Sequence, residues 1–454
     1  MRQPKIPPPQ AQQQVLALQK DRLAALLAQA VRSETEGKYR HWDSLCHLAP
    51  PKGFTHKEWW GAVKLVRQPS LKPLPLADAT GQPFKYAIND MIGRLLHEID
   101  LGAGGNIGMP DPIANPQTRS QYIMHSLFQE AVTSSQLEGA ATTRTEAKEM
   151  LRTGRPPRTH GEKMILNNYR TMQRIAEWKK SPLDEKLVFE IHRMVTEGTL
   201  DEEAAAGRFR SADEKITVQD AITGETFHSP PPASQLPSRL RKLCDFANGS
   251  VFDVGKPEGK FIHPAIRAIL LHFWLAYDHP FVDGNGRTAR ALFYWSMLRQ
   301  GYWLFEFVSI SEILVKAPSQ YATSFLLSET DDNDATYFLR YQCDVIRRAI
   351  ASLHKYIQHK SDELRETDSF LRDATQLNHR QQTLLTHALR HPGYRYTIEG
   401  HRRSHRVVYQ TARSDLMDLA DEGLLEAKKS GRAFVFVPPA DIAERLQNFT
   451  ARRD

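Results

Sequence analysis

The sequence predicts a mainly α-helical protein with one β-hairpin set into the helical region and a winged helix-turn-helix at the C-terminus. Three observations carry this. From about residue 86 to 365, apolar residues recur mostly at helical spacing. Lys215 to His228 alternates instead, with a Thr-Gly turn signal and Ser229-Pro230-Pro231-Pro232 behind it, which reads as a β-hairpin. Beyond about residue 370, two helical stretches are followed by two short strands around Ser430-Gly431-Arg432.

Taken in order, residues 1–12 are rich in Pro and Gln and are expected to be disordered. Val15, Leu16, Leu18, Leu23, Leu26 and Leu27 give a surface helix over 13–36. A mixed stretch with Trp42, Trp59 and Trp60 closes an N-terminal helical and Pro-rich region at residue 85, to which no chemistry is assigned. The middle domain, 86–365, contains predicted helices over Tyr86–Ile99, Ser120–Leu137, Gly161–Trp178, Asp184–Thr196 and Pro264–Tyr277. The last domain, 366–454, contains Gln376–Leu389, a second helix over Ser404–Asp421 ended by Gly423, and strands over Leu424–Lys429 and Ala433–Val437.

With 454 residues, 41% of them apolar and 25% charged, the chain has ample material for buried cores. A net charge of +7 permits nucleic acid as a partner without calling for it. Cys46, Cys244 and Cys343 are too few and too scattered for a disulfide framework or a zinc site, which points to a reducing compartment. The longest apolar run, Ala268–Tyr277, is broken by His272 and followed by Asp278 and His279, so no membrane span is expected. MRQPKIPPPQ lacks an apolar signal core. A cytoplasmic location is the expectation.

The chemistry concentrates in residues 279–290, HPFVDGNGRTAR, which follow a strongly apolar helix. Gly284, Asn285 and Gly286 stand at a loop-to-helix junction, where glycine allows positive φ and close approach of backbone to a ligand. The amides and dipole of a helix start attract anions. Arg287 and Arg290, three apart, share a face and can fork onto phosphate oxygens. Asp283 is a hard oxygen ligand suited to a Mg²⁺ already held by phosphates. His279 is the group here that is neutral enough near pH 7 to take a proton from a hydroxyl. Each residue alone has an ordinary structural reading. Together they describe nucleotide phosphate chemistry on an attacking hydroxyl, while Pro280 and Phe281 read as loop anchors.

This string resembles the Fic family signature, His-x-Phe-x-Asp/Glu-Gly-Asn-Gly-Arg-x-x-Arg, at every specified position. Gly207-Arg208-Phe209-Arg210, the hairpin, Pro230-Pro231-Pro232, His263-Pro264 and Arg267 extend the resemblance to roughly residues 90–365. It implies a Fic helical core with a hairpin flap. It also implies transfer of AMP from ATP to a Ser, Thr or Tyr hydroxyl of a protein, the chain itself included. His279 would be the general base and Asp283 would hold Mg²⁺. Gly284, Asn285 and Gly286 would cradle the phosphates, and Arg287 and Arg290 would hold those of the β and γ positions. The related Doc branch, which phosphorylates its targets, usually carries a larger or charged residue in place of Gly286.

A second string, SSQLEG at 134–139, resembles the family's inhibitory motif, Ser/Thr-x-x-x-Glu-Gly/Asn, through Ser134, Glu138 and Gly139. Ser134 and Glu138, four apart, share one helix face. The other Glu-Gly pairs, at 36, 197, 258, 399 and 422, have no Ser or Thr four residues before them. The resemblance implies that Glu138 pairs with Arg290 and blocks productive ATP binding. The bland reading is a helix-surface ion pair. A further alternative has Glu138 orient a water that removes AMP from a modified target.

The hairpin would dock an extended piece of the target by backbone pairing. In the C-terminal domain, residues 371–454 carry 14 Lys/Arg against 10 Asp/Glu. His401, Arg402, Arg403, His405, Arg406, Lys428, Lys429 and Arg432 make residues 401–432 a candidate DNA contact. A DNA-binding regulator with a nucleotide-binding Fic domain is therefore a competing reading, against which the intact His279 weighs.

Overall fold

The structure is a computed structural model and describes residues 2–35, 39–103, 116–219, 224–249, 261–373, 376–391, 393–430 and 433–451. The chain falls into two compact units. The first is Met1–Asn106 with His125–Ala351, and the second is Ile107–Met124 with Ser352–Asp454.

The first unit opens with α1 (Ala11–Leu16), α2 (Lys20–Thr35), α3 (Trp42–Leu45) and α4 (His56–Arg67). Thr55 and Glu58 form a capping box that starts α4. Val15, Leu26, Leu45, Trp60 and Val63 close a small core between these helices. Within residues 1–12, expected to be disordered, Ala11 begins α1 and joins this core. Ala11 is buried, and a Cβ on Gly61 would meet its carbonyl oxygen at 2.2 Å, an approach only glycine permits. Arg2 pairs with Asp43 at 2.8 Å.

Residues 1–85 belong to the same compact unit as the motif. Lys64 pairs with Asp331 at 2.7 Å, Arg67 donates to the Tyr337 hydroxyl at 2.9 Å, and Tyr39 donates to Asp334. Removing one partner of a buried pair leaves an uncompensated charge. Asp331→Ala is therefore expected to destabilise the unit by about 3 kcal/mol, read as a lower denaturant midpoint. Two strands, β1 (Lys72–Ala77) and β2 (Pro83–Tyr86), pair antiparallel. Tyr86 thus ends a strand, and the helix expected from it begins at Asp90, as α5 (Asp90–Ala103).

The helical body continues with α6 (Pro116–Leu137), α7 (Arg144–Thr153), α8 (His160–Trp178) and α9 (Glu185–Thr196). Asp184 caps α9 by accepting from Leu187 N. Two short antiparallel strands follow, β3 (Val218–Gln219) and β4 (Thr226–His228). Residues 220–223 of this hairpin, including Thr223 of the expected turn, lie outside the described residues. Next come α10 (Leu236–Asn248), α11 (Pro264–Asp278), α12 (Asn285–Arg299), α13 (Ser311–Leu314), α14 (Pro318–Thr330) and α15 (Thr336–Asp373). Nearly every residue of α11 and α12 is buried. A helix closed to water on all sides sits in a core, which explains the apolar run at 268–277. No helix among the described residues is long and apolar enough to cross a membrane.

The second unit contains α16 (His379–Arg390), β5 (Tyr396–Thr397), α17 (Ile398–His405), α18 (Tyr409–Asp421), β6 (Glu426–Ser430), β7 (Ala433–Val437) and α19 (Ile442–Ala451). The strands form one antiparallel sheet in the order β5-β7-β6. Leu385, Leu416, Leu419 and Phe436 centre its core. The helix expected over Ser404–Asp421 is two helices. Arg406 ends α17 at φ 52°, and extended Val408 precedes α18. Asn378 caps α16, so that helix starts at His379 rather than at Gln376. Gly431 and Arg432 lie outside the described residues.

Candidate active site

The motif 279–290 covers the six-residue loop between α11 and α12 and the first turns of α12. His279 ends α11 in the left-handed region, φ 44°, its N–H bonding the Leu275 carbonyl at 3.0 Å. A non-glycine residue in that region is held there by its surroundings. Arg210 supplies much of the hold. Its Nε donates to the His279 carbonyl at 2.9 Å, its Nη2 to the Pro231 carbonyl at 2.5 Å, and its backbone N–H to the Pro280 carbonyl at 2.8 Å. One side chain thereby ties the Gly-Arg-Phe-Arg stretch, the Pro-rich stretch and the motif together.

His279 Nδ1 lies 3.2 Å from the Ala276 carbonyl oxygen, which only accepts. Nδ1 therefore carries the proton and Nε2 keeps its lone pair. Burial pushes the imidazole down to about 4, against a weaker pull from that carbonyl and a further push from His228. His279 is neutral near pH 7.

The loop is clamped from within. Asn285 Oδ1 accepts from Phe281 N at 3.0 Å, and its Nδ2 donates to the Phe281 carbonyl at 2.9 Å. The Asn285 side chain is thus committed to the loop, which leaves only its backbone at the start of α12 to meet a ligand. Phe281 is fully buried and stacks on His192 at 3.8 Å. His192 Nδ1 accepts from Gly207 N at 2.9 Å, which leaves Nε2–H to donate to the Asp283 carbonyl at 2.9 Å. Gly284, at φ 79°, leaves no room for a side chain, since a Cβ would meet Thr196 Cγ2 at 2.5 Å. Thr288 is the first residue of α12 bonded back to the loop, through the Gly284 carbonyl. The N–H groups at 285–287 occupy the helix start, where dipole and donors favour an anion.

The two arginines are placed differently. Arg287 is fully buried, donating to the Val195 carbonyl at 2.6 Å and to Asp283 Oδ2 at 3.0 Å. It thereby positions Asp283, whose side chain is half exposed. Arg290 is also buried. Its Nε donates to Ser134 Oγ at 2.7 Å, and its Nη2 donates to the Ser134 carbonyl and to Glu138 Oε1, both at 2.9 Å. Burial alone would lower its pKa, yet the Glu138 carboxylate raises it. Arg290 Nη1 and Arg287 Nε are buried with no hydrogen-bond partner among the described residues. Unpaired buried donors of this kind are costly, and the Tyr321 hydroxyl lies close to Arg290.

Ser134, Glu138 and Gly139 thus meet Arg290 as one group. Gly139, at φ 89°, ends α6 directly after Glu138. Gly286 is what admits the carboxylate, because a Cβ there would lie 2.1 Å from Glu138 Oε1. Gly286→Ala is expected to dislodge Glu138. In a double-mutant cycle on unfolding free energy, the Glu138–Arg290 coupling should fall to near zero in that background.

A residue that sequence reasoning missed sets the register of α6. Glu130 is buried and accepts from the Tyr294 hydroxyl at 2.8 Å, Ser309 Oγ at 2.8 Å, Ser311 Oγ at 2.6 Å and Ser311 N at 3.1 Å. Glu130, Ser134 and Glu138 follow at four-residue steps on α6, facing Tyr294 and Arg290, four apart on α12. The step was readable, but no motif marks Glu130. Nor does any motif mark His192.

A cavity of about 450 Å³ opens on this arrangement, lined by Glu138, His279, Asn285 and Gly286 on one side and by Phe227 and Phe325 on another. Its polar groups converge on an apolar surface, as in small-molecule sites. A larger cavity of about 960 Å³ lies elsewhere in the first unit, and two of its arginines, Arg94 and Arg347, pair with Glu98 and Asp344. Among the described residues no three His, Cys, Asp or Glu side chains gather to hold a metal. Asp283 alone suits an ion whose other ligands come from phosphate and water, as is usual for Mg²⁺.

The basic cluster at 401–432 is partly neutralised within the chain. His401, expected as a phosphate contact, is buried against Asp415 at 3.1 Å, where Arg380 also pairs. Arg402 and Arg403 share Glu399, and Lys428 pairs with Glu426.

Residues 182–297 match the family described as Fic/DOC. Two relatives called protein adenylyltransferase Fic align with half of the chain. That of Nematostella vectensis is 25% identical over 236 residues, 50% of this chain and 49% of its own. That of Drosophila willistoni is 24% identical over 242 residues, 52% of this chain and 42% of its own. The match thus spans about half the length of these relatives or less. The crystal structure of a Fic family protein from Desulfovibrio desulfuricans G20 shares the fold with a TM-score of 0.51, at 18% identity, over 78% of this chain and 97% of its own.

Proposed function

We propose that this chain, whose residues 182–297 match the Fic/DOC family, is a protein adenylyltransferase, moving AMP from ATP to a Ser, Thr or Tyr hydroxyl and restrained by Glu138. The observation that carries this reading is the neutral His279 standing beside the start of α12 and its buried Arg287 and Arg290. Support at the family level comes from the relatives called protein adenylyltransferase Fic.

In the proposed reaction the acceptor oxygen attacks the α-phosphorus and its proton passes to His279 Nε2. The bond from the α-phosphorus to the bridging oxygen breaks, and pyrophosphate leaves. The backbone amides at the start of α12 receive phosphate oxygens. Arg290 takes those of the γ-phosphate once Glu138 gives way, and Arg287 acts mainly through Asp283. Mg²⁺, held by Asp283 and the phosphates, would neutralise charge on the leaving group. Gly286 supports AMP over phosphate as the transferred group. His401, Arg402, Arg403 and Lys428 already have acidic partners, which weighs against the DNA-binding reading.

The products test it. ³¹P NMR of ATP incubated with Mg²⁺ and the Glu138→Gly protein should show pyrophosphate accumulating in step with labelled protein. ADP as the stoichiometric product would overturn the reading in favour of phosphoryl transfer.

A further inference from the structure

Strand β4 ends on His228, and both ring nitrogens of that residue face acceptors. Nδ1 lies 2.8 Å from Glu329 Oε2 on α14, and Nε2 lies 2.7 Å from the Tyr277 carbonyl oxygen near the end of α11. The residue is only 8% exposed, so water does not readily replace either partner. A neutral imidazole has one N–H and one lone pair. Against a carbonyl and an ionised carboxylate it satisfies one contact and sets its lone pair against the other. Both contacts form only when the His228–Glu329 pair holds one proton more.

We propose that His228 is a positioning residue that fastens the hairpin as an imidazolium clasp. Protonated, it ties β4 to α14 and to the end of α11. Once deprotonated, it releases Glu329 and loosens the strands that edge the active-site cavity. Val218, Gln219, Phe227 and His228 all line that cavity, so the clasp sets one of its walls.

The groups around the ring are consistent with this. Glu329 faces it from α14. From α11 come Tyr277 and Asp278, the latter paired with Arg239 of α10. Asp78, after β1, lies near Tyr277, and His279 follows in the motif loop. Gln3 also holds the hairpin, donating to the Thr226 carbonyl at 3.1 Å. Burial alone would lower the His228 pKa below 6.5, but Glu329, the Tyr277 carbonyl and Asp278 hold it above. With the folded-state value raised, the clasp contributes fully below about pH 6.5 and is lost as pH rises through the folded-state value. The charge on His228 also disfavours protonation of His279. That last link rests on the role of His279 proposed above, whereas the clasp itself does not.

The test compares wild type, Glu329→Gln and His228→Gln as full chains. Histidine ¹³Cε1 NMR follows the titration of His228, its signal identified by absence from His228→Gln. Hydrogen exchange at 216–219 and 224–228, corrected for the intrinsic pH dependence, follows the hairpin. In wild type, His228 should titrate above 6.5, and protection of the hairpin should fall about tenfold as it deprotonates. In Glu329→Gln the amide can donate to a neutral ring, so protection should become independent of pH and His228 should titrate below 6.5. A wild-type His228 titrating at or below 6.5, protection unchanged across its titration, or retained pH dependence in Glu329→Gln would each overturn the clasp. Should Glu329→Gln not fold, the wild-type titration and exchange alone decide. A working clasp without AMP transfer would sink the proposed activity and leave the clasp standing.

Discussion

Glu138→Gly should transfer AMP roughly 10- to 100-fold faster than the wild-type protein, the range set by losing a hydrogen-bonded charge pair of about 1.5–3 kcal/mol. Glu138 Oε1 sits 2.9 Å from Arg290 Nη2. If Arg290 holds the γ-phosphate as proposed, ATP must displace that carboxylate first. The substitution removes the competitor and leaves the Ser134 contacts at 2.7 and 2.9 Å in place. Initial rates of pyrophosphate release at saturating ATP measure the gain. If Glu138 instead orients a water that removes AMP, its loss should abolish release of AMP from the modified target. Following both directions on one labelled substrate separates the two roles.

His279→Ala in the Glu138→Gly background should lower transfer by about 10²- to 10⁴-fold, the usual contribution of a positioned base. ATP binding should be retained, because the proposed phosphate contacts come from α12. The pH profile of the Glu138→Gly protein gives an independent check. A base must be deprotonated to act, and burial holds His279 at about 4 rather than 6.5. Transfer should therefore persist as pH falls through 6.5 and decline only toward about 4. An acid limb near 6.5 would mean that another group is the base.

Much of this site was legible in the sequence because its parts are local. His279 to Arg290 is one contiguous string, and the glycines in it mark backbone positions with a steric reason, Gly284 against Thr196 and Gly286 against Glu138. The Ser134–Glu138 step was also local, and Arg290 is where the structure brings it. What was not legible depends on distant packing. Arg210 reaches three carbonyls, His192 holds the Asp283 carbonyl, and Glu130 meets groups about 160 to 180 residues away. A lone Arg, His or Glu carries no periodicity that announces such partners. The same limit explains the misread tail. Spacing alone could not show that Arg406 takes φ 52° and splits one expected helix into two, nor that His401 turns inward to Asp415. The arginine roles also needed coordinates, since the sequence treats Arg287 and Arg290 alike while packing directs one to Asp283 and the other to Glu138.

The most direct measurement of the central claim is label transfer to protein. Wild type, Glu138→Gly and Glu138→Gly/His279→Ala would each be incubated with Mg²⁺ and ATP labelled at either the α- or the γ-phosphate, with the chain itself and a cell extract as acceptors. The expected result is α-label on protein, strong with Glu138→Gly, weak with wild type and at least about 100-fold lower in the double variant than in Glu138→Gly, with no γ-label. Transfer of γ-label, or α-label undiminished by loss of His279, would contradict AMP transfer with His279 as the base.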